Sequence, residues 1–223
     1  HGQRRVRDRA HALRAAEHQF FPQAMLHLAR AYNQQMYITR TQAVSEDAEA
    51  ILLQLIRQQS YAAYPYYLLS INQRLYAEPL ALSADTNDRA QATEYFSQAL
   101  EWARRGQAID AADDRPITAE AECLEQLERW DEALDARNRA MVAASNEARR
   151  CESYHYRWRL HYWRRDWTAA LADIRAHALC VPDSLFYARV YPAWVNAEKG
   201  DLDAALREAR LIAEEAPDDA QAI

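Results

Sequence analysis

Glycine is nearly absent: the 223-residue chain has three, Gly2, Gly106 and Gly200. A phosphate-cradling GxxxxGK loop, a dinucleotide GxGxxG fingerprint and a GxSxG nucleophile elbow all need glycines that are not here. Tight β-hairpins also draw on glycine at positive φ, which argues against an all-β fold. Lysine is scarcer still, with Lys199 alone against 26 arginines. Both carry the same charge, so the skew reads as genome composition, as in a GC-rich bacterium, and not as folding information. No run of about 18 apolar residues occurs, so no membrane span is expected. The cysteines are Cys123, Cys151 and Cys180. Their odd count and the lack of a CxxC pair argue against a disulfide framework and a zinc knuckle, so all three are expected to be small core residues. Compartment stays open on this basis, with the cytoplasm favoured over the periplasm. No signal peptide is visible and the first residue is not Met, so the chain is expected to begin inside a longer product or after processing.

Half of the residues are hydrophobic and 27% are charged. That is enough apolar material for a sizeable core in one or two domains. The net charge of −6 argues against nucleic-acid binding by the whole chain. Residues 1–60 carry a net +3, mostly from Arg4, Arg5, Arg7, Arg9 and Arg14, and read as a solvated helix face.

Apolar residues recur at helical spacing nearly throughout. Helices are expected over Arg4–His18, Pro22–Ile38, Ser45–Gln59 with Ser45 as cap, and Tyr64–Ala77. A long loop over Pro79–Asn87 is expected next, then a helix to Arg105 opened by an Asp88/Gln91 capping box. After a second loop, Asp110–Pro116, shorter helices alternate to the end. Two regions are expected: a divergent helical part over 1–80 and a continuous repeat region over 81–223.

The last hundred residues repeat. Trp130-Asp131-Glu132-Ala133-Leu134 returns as Trp167-Thr168-Ala169-Ala170-Leu171 and as Leu202-Asp203-Ala204-Ala205-Leu206. The alanines Ala133, Ala170 and Ala205 are spaced by 37 and 35 residues, and Pro182 and Pro217 by 35. A period near 35 with two helices per unit means stacked helical hairpins. On these residues, with Gly200-Asp201-Leu202 and Asp166-Trp167 as turns, the stretch 116–219 resembles the tetratricopeptide repeat (TPR) family. The resemblance implies an all-α, right-handed α-solenoid of antiparallel hairpins, about 10–11 helices in all. The three alanines should sit at close helix crossings, and Trp130 and Trp167 should fill the gap toward the next hairpin. Trp158 stands where the family has a small residue, and Pro192 falls inside a helix and should kink it. The residues after Pro217 read as the start of another helix, so the chain is expected to be a fragment of a longer array.

Catalytic patterns are thin. Seven histidines include no HExxH, so a metal site would need ligands from distant segments. Asp110, Asp113 and Asp114 lack the last Asp of a DDxxD run and read as a solvated loop with a helix cap. No nucleophile motif links Ser, His and acid. No cofactor is expected. The strongest cluster is aromatic and basic, over residues 154–167.

The family projects groove residues from the first helix of each unit. Carried over, these are His155, Arg159, Tyr162 and Trp163 in the middle unit and Tyr187, Val190, Trp194 and Glu198 in the last. In the first they are Arg115, Thr118, Glu122 and Glu125. Aromatics and Arg are common interface anchors. The family's carboxylate clamp needs Asn where this chain has Ala119, Tyr156 and Tyr191, so that mode is not expected. A second aromatic patch, Tyr61, Tyr64, Tyr66, Tyr67 and Tyr76, reads as helix–helix packing. The expectation is a non-catalytic scaffold that binds a protein or peptide partner in its concave groove. Two alternatives stay open: a sensory domain for a small molecule or glycan, and an all-helical enzyme with a pocket in the Tyr-rich N-terminal half.

Overall fold

A computed structural model describes residues 22–59, 63–184 and 186–215. Among them every regular element is helical, with ten α-helices, one π-helical turn and no strand. Helix α1 spans 22–39. Then come α2 (Gln42–Arg57), α3 (Tyr64–Ala81), α4 (Thr86–Ile109) and α5 (Asp114–Gln126). They are followed by α6 (Trp130–Ala143), α7 (Glu147–Trp163), α8 (Trp167–Cys180), the π-turn Phe186–Val190, α9 (Tyr191–Lys199) and α10 (Leu202–Glu215). The expected helix over Arg4–His18, Tyr61 and the segment from Pro217 lie outside the described residues. The chain forms two compact units, residues 1–129 and 130–223, which divide in the turn before α6. Residue 80, the boundary read from the sequence, falls inside α3, which packs along α4.

In the first unit α3 is the central helix. Leu68, Leu69, Ile71, Leu75 and Ala77 are buried, and so are Ser70, Asn72 and Gln73 between them. A helix apolar on one stripe only would leave those three wet; burial all round needs polar partners. Asn72 Nδ2 donates to the Ser45 carbonyl and hydroxyl, both at 3.0 Å, and Asn33 Nδ2 donates to the Leu68 carbonyl at 2.8 Å. Arg74 pairs with Glu78 and, at 3.1 Å, with Glu122 of α5. Ser45 is therefore a buried seam residue inside α2 and not its cap, which is a correction; α2 starts after Thr41.

Helix α3 also runs four residues past its expected end, through Pro79, because Leu80 and Ala81 pack on Ala77, Ala92 and Phe96. The long loop is thus corrected to the short connection 82–85. Asp85 caps α4 by accepting the Asn87 N–H at 2.8 Å, while Asp88 takes the Ser83 hydroxyl at 2.6 Å. A Cβ added at Gly106 would come within 3.2 Å of Pro116 and 3.3 Å of Tyr66 Cβ. Glycine there lets α3, α4 and α5 approach closely, and a Cβ would need its neighbours to give by a few tenths of an ångström. Asp113 caps α5 and holds Arg115 through both carboxylate oxygens.

The turns that close α5, α7 and α9 are copies of one another. Arg129 N–H donates to Leu124 O, Asp166 to His161 O and Asp201 to Asn196 O, each at 2.9 Å. Before these donors, Glu128, Arg165 and Gly200 take φ of 57°, 59° and 87°. This is the left-handed helix closure that glycine adopts at no steric cost. Asp166 and Asp201 then cap the next helix by accepting the N–H of Ala169 and Ala204, both at 3.1 Å.

The second unit has its core at Trp158, Ala170, Leu171, Ile174 and Val195. Ala133 and Ala170 are fully buried, whereas Ala205 is half-buried. Trp130 does not fill an interior gap; it is 38% exposed. Trp158 is a core residue despite its size, with the Tyr191 ring 4.9 Å away. Pro192 kinks no continuous helix. It is the second residue of α9, where no backbone N–H is needed, and the irregularity precedes it as the π-turn.

Cys151 and Cys180 form a disulfide across 29 residues with Cα atoms 6.0 Å apart, which corrects the expectation of three reduced core cysteines. Both lie equally far from the turn at Arg165–Asp166, so antiparallel packing of α7 on α8 brings them face to face. Cys123 alone is free and buried. Burial pushes its thiol up to about 12, against the opposing influence of Ser70 and Arg74. Arg157 adds a polar clasp, donating to both Asp173 oxygens at 2.7 and 2.5 Å and to Asn138 at 2.9 Å.

Candidate functional site

Two turns of α7 and the start of α9 frame an aromatic concavity of about 340 Å³. Its lining is His155, Trp158, Arg159, Tyr162, Trp163, Tyr191 and Trp194. Spacing explains the α7 part. His155, Arg159 and Tyr162, with Trp163, fall at i, i+4, i+7 and i+8, one face of a helix. On the opposite side of α7, Ser153 and Leu160 are buried. From α9, Tyr191 and Trp194 enter at i, i+3. The Tyr162 ring is the hinge of the set, with its centroid 5.1 Å from Trp194, 5.5 Å from Trp167 and 5.7 Å from Trp163.

Such tilted and edge contacts fix ring orientation while leaving faces open. Trp163 is 66% exposed and Trp194 46%, and Arg159 is also exposed. Large aromatics held in place yet open to solvent are what a binding surface offers and a core does not.

Of the eight groove residues carried over onto the middle and last units, the structure brings five together: His155, Arg159, Tyr162, Trp163 and Trp194. Tyr187 stands behind them, sharing a hydrogen bond with His155 Nδ1 and packing 4.1 Å from the His177 ring. Glu198 is exposed and lies near the Tyr162 hydroxyl, which partial burial and then this carboxylate push above its usual range. Trp158 and Tyr191 complete the concavity and were missed: each sits where the family pattern places a different residue type. The signal for Trp158 was the aromatic run over 154–167, and Tyr191 lies outside it.

In the first unit the corresponding positions are engaged elsewhere. Arg115 binds Asp113 and stacks over Tyr64 at 4.4 Å, Glu122 binds Arg74, and the Thr118 hydroxyl donates to the Asp114 carbonyl. The Tyr-rich patch packs ring on ring: Tyr64 with Tyr67, Tyr66 with Trp102, and Tyr76 with Tyr95.

His155 is held below the usual imidazole range, by burial first and then by His177, Arg159 and Arg137. His161 is lowered too, by burial, which outweighs the opposing pull of Asp173. Arg159 therefore supplies the positive charge at the concavity near neutral pH. No described helix is long and apolar enough to cross a membrane.

No protein-family model matches the chain, and no curated protein matches its sequence. Solved structures do match. The crystal structure of MamA superposes with a TM-score of 0.60 at 11% identity, covering 86% of this chain and 94% of that one. A MamA RS-1 ArsTM double mutant gives 0.53 at 14% identity, covering 85% and 96%. MamA is a TPR-like helical-repeat protein. The fold of this chain is a TPR-like helical repeat. At these identities the likeness concerns fold alone, and function has to be argued from the surface.

Proposed function

We propose that the second unit is a non-catalytic recognition module that binds an extended protein or peptide segment across the aromatic face of α7 and α9. The observation that carries this is the exposure of Trp163 and Trp194 beside Arg159, around a concavity whose rings are fixed from below by Trp158 and Tyr191. Flat aromatic faces suit proline rings and aliphatic side chains, and Arg159 suits a carboxylate or a backbone carbonyl. A small-molecule sensor needs a closed pocket; here the two most exposed tryptophans form the rim, which favours a chain passing over the surface. An enzyme in the Tyr-rich half has less support, because Tyr64, Tyr66, Tyr67 and Tyr76 are used in ring pairs. The disulfide supports work in an oxidising compartment, where such bonds persist.

The test is peptide selection on the immobilised chain, followed by affinity measurements on the selected sequences. Arg159→Ala and Trp194→Ala should each weaken binding by about tenfold or more, the level of an interface anchor, with circular dichroism unchanged. Selected peptides that bind both variants as tightly as the parent would rule this face out.

A further inference from the structure

A second concavity, of about 900 Å³, lies beside the disulfide between the start of α7 and the end of α8. Its wall collects donors that soft and borderline metal ions prefer. Glu147, Cys151 and His155 follow one another at i, i+4 and i+8 on α7, and His177 and Cys180 at i, i+3 on α8. One carboxylate oxygen of Glu147 and the two sulfurs all lie within 4.8 Å of one another. Glu147 Oε1 is 3.9 Å from Cys151 Sγ, while its other oxygen accepts from Arg150 at 2.9 Å. The edge of a tetrahedron built on zinc–sulfur and zinc–oxygen bonds is about 3.6 Å, so these atoms stand close to a ligand arrangement.

We propose that, once the disulfide is reduced, Cys151, Cys180 and Glu147 bind one divalent metal ion of the zinc class, so that the pair alternates between a crosslink and a metal bis-thiolate. Reduction by a dithiol breaks the S–S bond with two electrons and two protons. Two thiols form, and the dithiol becomes a disulfide. Metal binding then forms two metal–sulfur bonds and releases two protons. The fourth coordination position opens on the cavity. There His177 donates its Nδ1–H to the Cys151 carbonyl at 2.7 Å, which orients the ring at the cavity wall. The two forms exclude one another, because a disulfide sulfur is no thiolate ligand. None of this involves Trp163 or Trp194, so its failure would leave the recognition surface untouched.

The test uses the full chain, reduced with a phosphine that is then removed, and titrated with Zn²⁺ against a chromophoric chelator and with Co²⁺ in the spectrophotometer. The reduced chain should bind one ion, with a thiolate-to-cobalt charge-transfer band. The oxidised chain and Cys151→Ser should show neither. Glu147→Gln changes an exposed residue and should keep the helix content. It should lower zinc affinity by at least about tenfold, a loss seen even for indirect partners of a ligand. A reduced chain that binds no better than the oxidised chain or Cys151→Ser would overturn the proposal. So would a Glu147→Gln variant with parental affinity, or a reduced chain that loses its circular dichroism and does not regain it on adding zinc.

Discussion

The two units solve the same packing problem with different means. In the first, helices are joined by buried polar side chains: Asn33, Asn72 and the Arg74 pairs with Glu78 and Glu122 reach across seams. Tyr64 faces Tyr67, Tyr76 faces Tyr95, and Cys123 stays free. In the second, a disulfide and the Arg157 clasp tie α7 to α8, and the aromatic residues of α7 and α9 turn partly outward. The contrast teaches that a repeat which turns its large side chains toward solvent gives up apolar burial and needs another source of rigidity. Here that source is covalent.

Loss of the crosslink is the largest way to break the comparison. Closing a loop of this length contributes about 3–4 kcal/mol in the chain-entropy account. Reduction or Cys180→Ser should therefore lower the unfolding free energy of the second unit by that amount, read from the near-ultraviolet signal of its tryptophans during denaturation. The first unit, followed through hydrogen exchange in α3, should hold. Equal losses in both would show that the crosslink is not local.

Overpacking comes next. Ala170→Leu and Ala133→Leu should each cost about 1–3 kcal/mol, because both alanines are fully buried. Ala205→Leu, at a half-buried position, should cost under about 1 kcal/mol. Urea melts giving the reverse order would contradict the helix crossings described here.

Acid should sharpen the difference more gently. His155 and His161 have folded values below the unfolded one, so each is bound as a neutral ring and its protonation favours the unfolded chain. The stabilisation is complete above the unfolded value of 6.5 and fades as pH falls through it. Midpoints of the second unit should decline from pH 7 to pH 5, and His155→Phe should flatten that slope. A decline confined to the first unit would contradict the assignment.

The smallest effect concerns the repeated turn. Gly200 has open space around its missing Cβ, so Gly200→Ala should cost about 1 kcal/mol from backbone strain alone. Arg165 already occupies the same left-handed seat as a non-glycine. Arg165→Ala should stay within about 0.5 kcal/mol of the parent.

The repeat was legible in the sequence because its marks are local. Gly200, Asp166 and the alanines act through the geometry of their own turn or crossing. Five residues lining the concavity were legible for the same reason: they share one or two helix faces. What escaped depends on distance between segments. Cys151 and Cys180 carry no spacing motif, and they meet only once the hairpin register is known. Trp158 and Tyr191 looked out of place because the pattern describes regular helices, and the π-turn before α9 is not regular. Ser45 had the chemistry of a cap, but the Asn72 side chain claims its hydroxyl in the core.

The most direct measurement of the recognition surface is nuclear magnetic resonance of the indole N–H groups during titration with a selected peptide. Each of the six tryptophans gives one such signal. The signals of Trp163 and Trp194 should shift and saturate together, while that of Trp102 in the first unit should not move. Saturating binding that shifts Trp102 and leaves Trp163 and Trp194 in place would contradict the proposed site.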